Sequence, residues 1–420
     1  MPLLSKPSGP LSGHIRAPPS KSATHRALVL SFLSDRPCKI RRPLLSDDTL
    51  STIEGLKLMG ASVSGRSVLT VKSERHQAQD VINARNSGTT ARLLCSICSL
   101  FPGYGVITGD SSLKRRPMEP LLQAIRMLGG DAFSTTNNGC LPCVSGGPLS
   151  RGRCEIDAHL SSQFASSLAI ASCFRDIDTE IVMKGKIQSY DYLKMTLEMI
   201  EYFGGKATLE DGRLYCEGRG AFKGRDVTVP GDFSSAAFLL AAAAITRGKI
   251  SVSELGNSFT QADARIVEIM RLFGCSVRQR GNSIELSSEG IEGADVDCTS
   301  SPDLFPITSV LAAAAKGRST VTGSENLRFK ETDRLKTTYL MLRSIGVQCS
   351  LEDEKLHIKG GSIRGGTVRS FEDHRIAMAA VVAGLASSRG ITVIDSGSYT
   401  VSYPSFIQDI TSLGGKVGVF

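Results

Sequence analysis

Seven cations stand out in this sequence for the residues beside them. Lys21, Arg26, Arg92, Arg116, Lys330, Arg334 and Arg375 sit in PSKSATHR (19–26), NSGTTAR (86–92), LKRRP (113–117), NLRFKETDR (326–334) and EDHRIAM (372–378), next to hydroxyl or glycine residues and at the edges of apolar stretches. SSQFASS (161–167), GDFSSAA (231–237) and SPDLFP (301–306) share that small-residue character. A guanidinium fork pairs two-pronged with carboxylate or phosphate, whereas a lysine ammonium is a mobile point charge that can pass a proton. Glycine and small hydroxyl residues let a ligand approach the backbone. Any one of these charges reads as ordinary solvated surface. The set together reads as a cleft for small, multiply charged anions.

The elements that must position these residues show up as a repeat. LKLMGASV, IRMLGGDAF, IEYFGGKAT, MRLFGCSVR, LRSIGVQCS and TSLGGKVGV end alike, with first glycines at Gly60, Gly129, Gly204, Gly274, Gly346 and Gly414, spaced by 69, 75, 70, 72 and 68 residues. Apolar residues ahead of each glycine recur at helical spacing, as in Ile266, Ile269, Met270 and Phe273. The glycine is then a helix terminator in the left-handed conformation. Residues such as Ser276–Arg280 and Ser283–Leu286 read as a hairpin behind it. A second set of helix starts, near Ser22, Ser87, Ser162, Ser234, Asp303 and Asp373, precedes the glycines by 38 to 43 residues. Two patterns in phase through six turns predict six copies of an α/β unit with two helices each. The Ala-rich stretches FSSAAFLLAAAAI, SVLAAAA and IAMAAVVAGLA read as buried central helices. Helix starts carry unpaired N–H groups and partial positive charge, so starts that face one place make it an anion site.

A chain of 420 residues exceeds what one core usually serves. The six copies therefore divide into two domains of three, one spanning 19–229 and the other 1–18 plus 230–420, with crossings at Pro18/Pro19 and Pro230/Gly231. Hydrophobic content of 41% with 21% charged residues excludes intrinsic disorder. The apolar run Phe238 to Ile245, even with Ala236 and Ala237 before it, is far short of the roughly 20 residues that span a bilayer. No membrane partner is expected. The opening MPLLSKPSGPLSGHIRAPP lacks the apolar core of a secretory signal, and the chain is read as cytoplasmic. Eleven cysteines, an odd number, fit reduced thiols better than a disulfide framework. Of the CxxC pairs, Cys95/Cys98 falls in an apolar helical stretch and Cys140/Cys143 stands alone, so no metal site is assigned. Net charge is +8, but aromatics are only 6% with no Trp, and the basic residues are scattered. That combination disfavours nucleic acid.

At PSKSATHRA, NSGTTAR, RRP, SSQF, GDFSSAA, KETDR and DHRIAM the chain resembles the 5-enolpyruvylshikimate-3-phosphate synthase family, over essentially its whole length. The resemblance implies an α/β fold, the two-domain inverse α/β barrel or alpha-beta prism, built from six βαβαββ repeats, three per domain, with the ligand cleft between the domains. It implies transfer of the enolpyruvyl group of phosphoenolpyruvate to the 5-hydroxyl of shikimate 3-phosphate, with release of phosphate, and no metal or organic cofactor. The partners are then two small anions, and a monomer is expected. The 19–229 domain would form mainly the shikimate 3-phosphate side, and the other would complete the phosphoenolpyruvate site. By the same likeness Lys21, Ser22, Arg26, Ser161, Ser162, Gln163, Ser189, Asp303, Asn326 and Lys330 contact shikimate 3-phosphate. Lys21, Gly88, Arg116, Gln163, Arg334 and Arg375 contact phosphoenolpyruvate.

The reaction needs a base for the 5-hydroxyl proton and an acid for the methylene carbon. Asp303 is assigned the first role and Glu331 the second, with Lys21 stabilising charge and sharing proton transfer in the elimination. Neighbouring Lys330 and Arg334 lower the proton affinity of Glu331, and desolvation raises it. A cation-lined cleft repels its own walls when empty, so closure around shikimate 3-phosphate is expected. Two positions depart from the family pattern. Val401 stands three residues before Pro404, where many members carry lysine, and Ser87 replaces the alanine of NAGT. Gly88 is retained, and glyphosate sensitivity is expected with it. The sister family that uses UDP-N-acetylglucosamine carries cysteine or aspartate five residues before the position of Arg116, where this chain has Ser111. A basic nucleic-acid binder akin to RNA 3'-phosphate cyclases is the distant alternative.

Overall fold

The six glycines each stand just past a helix with φ between +77° and +99°, a region that only glycine enters at little cost. In the computed structural model, which describes every residue except Met1, Lys186, Asn257 and Phe420, twelve α-helices fall two to a repeat. They are α1 (Lys21–Phe32), α2 (Asp47–Leu58), α3 (Gly88–Cys98), α4 (Glu119–Met127), α5 (Ser162–Phe174) and α6 (Tyr190–Tyr202), then α7 (Phe233–Ile245), α8 (Ile266–Leu272), α9 (Phe305–Ala314), α10 (Arg334–Ser344), α11 (His374–Leu385) and α12 (Phe406–Ser412). The even-numbered helices end at the glycines.

Among the described residues there are six four-stranded sheets, one to a repeat, three of which take one strand from a distant segment: Val227–Thr228 beside Cys38–Arg41, Ser12–Arg16 beside Lys249–Ser253, and Leu3–Lys6 between Ile391–Ile394 and Lys416–Val419. In the second repeat, Ile82–Asn83 lies parallel to Gly103–Thr108, which pairs antiparallel with Cys143–Gly147, which closes a hairpin with Asp131–Ser134. The order β, α, β, α, β, β recurs, so the parallel pair is joined through a buried helix and the antiparallel pair by a turn. Hairpin strands such as Lys355–Lys359 alternate buried and exposed residues, as a sheet with one covered face requires. The six α/β units predicted from the repeat are present, and the fold is the inverse α/β barrel class that the resemblance implied.

The chain forms two compact units, Met1–Pro18 with Pro230–Phe420, and Pro19–Val229. In the first, α7, α9 and α11 pack against one another, and α7 is buried from Phe233 through Ala244. In the second, α3 packs on α1 and α5, and nearly every residue of α3 and α5 is buried. Cys95 and Cys98 lie inside α3 as small apolar groups, and all eleven cysteines are free thiols.

The odd-numbered helix starts differ slightly from the sequence reading. Ser20, Ser87, Ser161, Asp232 and Asp373 are the residues whose side chains accept a first-turn N–H. Ser22, Ser162 and Ser234 lie one or two positions inside, because the capping residue itself must stay non-helical. The fifth start is different in kind. Pro302–Leu304 forms a 3-10 turn ahead of α9, and Asp303 sits in that turn without capping the helix.

Candidate active site

In the Pro19–Val229 unit the odd helix starts carry most of the predicted residues, and hydrogen bonds tie those starts to one another. Lys21, Ser22 and Arg26 occupy the first two turns of α1. The Lys21 ammonium pairs with the Asp48 carboxylate on α2 at 2.8 Å. Arg26 is buried and donates from Nη1 to the Ser22 carbonyl (3.0 Å), from Nη2 to the Tyr192 carbonyl (3.0 Å) and from Nε to Thr196 Oγ1 (2.7 Å). These bonds fasten α1 to the start of α6, whose N-cap is Ser189, itself left-handed at φ 54°. Burial lowers the Arg26 pKa to about 10, partly offset by Tyr192.

Ser161 caps α5, and Ser162 and Gln163 follow as its first two residues. The Gln163 carboxamide accepts from Arg92 Nη1 and donates to Thr89 Oγ1 at 3.1 Å, which joins the starts of α5 and α3. Arg92 also lies over the Phe164 ring, 5.0 Å from its centroid. Arg116 follows the 3-10 turn Leu113–Arg115 and donates from Nη2 to Asn86 Oδ1 (2.8 Å) and Ser112 Oγ (3.3 Å). A Cβ added to Gly88 would stand 3.1 Å from Arg92 Nη1 and 3.3 Å from Arg116 Nη1. The glycine therefore leaves room for two guanidinium groups beside a helix start.

In the other unit Asp303 gathers three cations: Arg334 at 2.7 Å, Arg375 at 2.9 Å and Lys330 at 3.4 Å. Arg334, only 1% exposed, also pairs with Glu331 and with Asp373 (2.9 Å). Thr332 donates to Asp373 at 3.0 Å, and Asn326 Oδ1 accepts from Ser324 at 2.7 Å. Burial alone would raise the Asp303 carboxyl, but Arg375, Lys330 and Arg334 outweigh it and hold the group well below the usual carboxylate range. Burial likewise opposes charge on Arg334, and Asp373, Glu331 and Asp303 reverse this to raise its pKa. Val401 closes the 3-10 turn Ser396–Val401 and brings no charge to the site.

Asp303 and Glu331 are named from the sequence, but Asp48 and Asp263, which also stand among these cations, are not. Asp48 shows only as one of two acids at a helix start. Asp263 lies in the short turn Ala262–Arg265 with no motif around it, yet it is buried where Asp303, Arg375, Ser234 and Asp232 act on its carboxyl. Burial, then Asp303, raises its carboxyl to about 6. Arrays of this kind, rich in fixed N–H donors and guanidinium groups with carboxylates among them, can bind polyanions and move protons at their edges.

A family model described as EPSP synthase (3-phosphoshikimate 1-carboxyvinyltransferase) matches residues 5–410. A protein of Methanocorpusculum labreanum named 3-phosphoshikimate 1-carboxyvinyltransferase is 41% identical over 414 residues, 97% of each chain. One of the same name from Aeropyrum pernix is 41% identical over 409 residues, 97% of this chain and 94% of the other. Among solved structures, an EPSP synthase from Acinetobacter baumannii superposes with a TM-score of 0.83 at 26% identity, covering 99% of both chains.

Proposed function

This chain belongs to the EPSP synthase family, and on that footing we propose how its side chains serve the reaction. It transfers the enolpyruvyl group of phosphoenolpyruvate to the 5-hydroxyl of shikimate 3-phosphate and releases inorganic phosphate. Lys21, Ser22, Arg26, Ser161, Ser162, Gln163 and Ser189 bind shikimate 3-phosphate from the Pro19–Val229 unit, with Asp303, Asn326 and Lys330 contributed by the other. Lys21, Gly88, Arg116, Gln163, Arg334 and Arg375 bind phosphoenolpyruvate. The observation that carries the anion assignment is Arg26. It is a buried cation whose hydrogen bonds go to two carbonyls and a hydroxyl, so a ligand anion supplies the countercharge that offsets the cost of burying it.

Asp303 takes the 5-hydroxyl proton and Glu331 delivers one to the methylene carbon. In the ligand-free arrangement both carboxylates are held by cations, which weakens Asp303 as a base and favours the charged form of Glu331. Substrate anions compete for Arg334, Arg375 and Lys330. As those cations turn to substrate, Asp303 gains basicity and Glu331 gains proton affinity, so binding itself readies the acid and the base. Lys21 stabilises developing charge and shares proton transfer in the elimination of phosphate. The eleven free thiols accord with a reducing cytoplasm, where the chain acts as a monomer.

The test is direct. Purified protein mixed with shikimate 3-phosphate and phosphoenolpyruvate releases phosphate; UDP-N-acetylglucosamine in place of the first yields none. Release with the sugar nucleotide and not with shikimate 3-phosphate would overturn the acceptor. Glu331→Gln keeps both ligands bound and lowers turnover by roughly 10²-fold or more, the scale of general acid catalysis. Turnover near wild type in that variant removes Glu331 from the mechanism.

A further inference from the structure

Behind the Pro19–Val229 group lies a buried chain of polar side chains that no substrate contact requires. His25 stands on α1, four residues after Lys21, and is fully buried. Its Nδ1 is 2.8 Å from Thr52 Oγ1 on α2. Thr52 Oγ1 is 2.7 Å from Thr90 Oγ1 on α3. The Thr90 hydroxyl lies 3.2 Å from the Asp48 carbonyl and 2.7 Å from the Oγ of Ser87, the N-cap beside Gly88. Asp48 in turn holds the Lys21 ammonium. Thr52, Thr90 and Ser87 are fully buried too.

We propose that His25 is a positioning residue, which through Thr52 and Thr90 locks the starts of α1, α2 and α3 together and so fixes Lys21 and the Ser87–Gly88 turn for phosphoenolpyruvate. The inference rests on the reading of those two positions given above.

Proton counting supports it. The Thr90 hydroxyl gives its proton away from Thr52, to the Ser87 Oγ at 2.7 Å or the Asp48 carbonyl at 3.2 Å, so the Thr52 hydroxyl gives its own to Thr90. Nδ1 of His25 must then be the donor to Thr52. Nε2 carries no proton in that tautomer, and it has no hydrogen-bond partner. Burial, then Lys21 and Arg26, hold the imidazole pKa well below 6.5, so the ring stays neutral and one directional chain runs from α1 to α3. From His25 Nδ1 to Ser87 each polar side-chain atom of the chain is paired, and such a buried run of directional bonds specifies one arrangement of the helices that carry it, where apolar contacts would allow sliding. The stake is high, because a displacement of about 1 Å in a reacting group can cost roughly 10²-fold in rate.

The working atom is Nδ1, and this sets the test. Asparagine places a polar atom where Nδ1 stands, glutamine reaches only toward Nε2, and alanine has neither. Steady-state kinetics on the full chain are compared for H25N, H25Q, H25A, T90V and the H25A/T90V pair, with shikimate 3-phosphate affinity read by calorimetry and unfolding midpoints recorded for each. H25A and T90V should lose roughly 10- to 100-fold in kcat/KM for phosphoenolpyruvate, while shikimate 3-phosphate affinity falls by a smaller factor, since Lys21 serves both ligands but Arg26 and Ser161 are held by contacts outside this chain. H25N should stay within about three-fold of wild type, H25Q should resemble H25A, and the double variant should be no worse than the poorer single one. Losses in H25N equal to those in H25A, or losses that add in the double variant, overturn the proposal. If H25A does not fold, H25N against H25Q and T90V decide it. A wild type that releases no phosphate tells instead against the enolpyruvyl-transfer reading.

Discussion

His25 and Asp263 are both buried in their units, and burial moves their proton affinities in opposite senses. For His25 the charged form is disfavoured, first by desolvation and then by Lys21 and Arg26, so its pKa falls well below 6.5. The unfolded chain binds the extra proton below pH 6.5 and the native chain does not. The stability this group contributes is therefore complete above pH 6.5 and is lost as pH falls below it. Asp263 behaves in reverse. Desolvation and the neighbouring Asp303 and Asp232 raise its carboxyl to about 6, against the pull of Arg375 and Ser234. The native chain then holds a proton that the unfolded chain has lost, and stability falls as pH rises from about 4 to 6 before levelling. Asp263→Asn should match wild type near pH 4 and exceed it above pH 6 by roughly 2–3 kcal/mol, at about 1.4 kcal/mol per pKa unit. His25→Asn should lessen the acid-side loss below pH 6.5. Urea midpoints across pH 4 to 7.5 check both, and differences that run the same way with pH in the two variants would contradict the burial argument.

At the scale of elements, the glycines that end the even-numbered helices do two separate jobs. Gly274, at φ +87°, faces open space, so an added Cβ meets nothing within 4 Å. Gly60, at φ +94°, would put a Cβ 2.0 Å from the Glu74 carbonyl oxygen and 2.8 Å from His76 Nε2. Gly274→Ala then costs only the left-handed backbone penalty, about 1–2 kcal/mol, whereas Gly60→Ala must also push the Glu74 backbone away and costs several kcal/mol more. Equal losses by chemical denaturation would mean that conformation alone governs both sites. The same contrast explains what could be read in advance. Helix ends and helix starts are local events, written in adjacent residues, and all six repeats were legible from them. Asp303 and Glu331 were named too, but other partners of the cations, Asp48 and Thr196 among them, were not. His25 and Thr52 are 27 residues apart and Thr52 and Thr90 are 38 apart, and Asp263 meets Ser234 and Asp303 from a turn with no periodicity of its own. Such meetings are set by how the repeats stack, which no window of sequence contains.

At the scale of the whole molecule, the chain's path makes one unit depend on both its ends. The Pro19–Val229 unit is a single stretch, but the other takes its first strands from the N-terminal segment. Leu3–Lys6 is an interior strand, paired antiparallel with Ile391–Ile394 on one side and Lys416–Val419 on the other. Ser5 Oγ donates to the Val381 carbonyl of α11 at 2.7 Å, and Leu3 is buried. Removing residues 1–8 would strip two strands of their ladder partners and uncover α11, one of three helices at the centre of that unit's core. The cysteines report the outcome separately for each unit. Cys275 and Cys298 are buried in the two-segment unit and Cys349 is partly so, while seven of the eight cysteines in Pro19–Val229, all but Cys140, are buried. A chain lacking residues 1–8 should expose Cys275, Cys298 and Cys349 to a thiol reagent within minutes, with those seven still protected and reacting only on addition of denaturant. Mass mapping of the modified cysteines distinguishes this from collapse of the whole chain, in which all eleven react together, and from full protection, which would mean that the interior strand is dispensable.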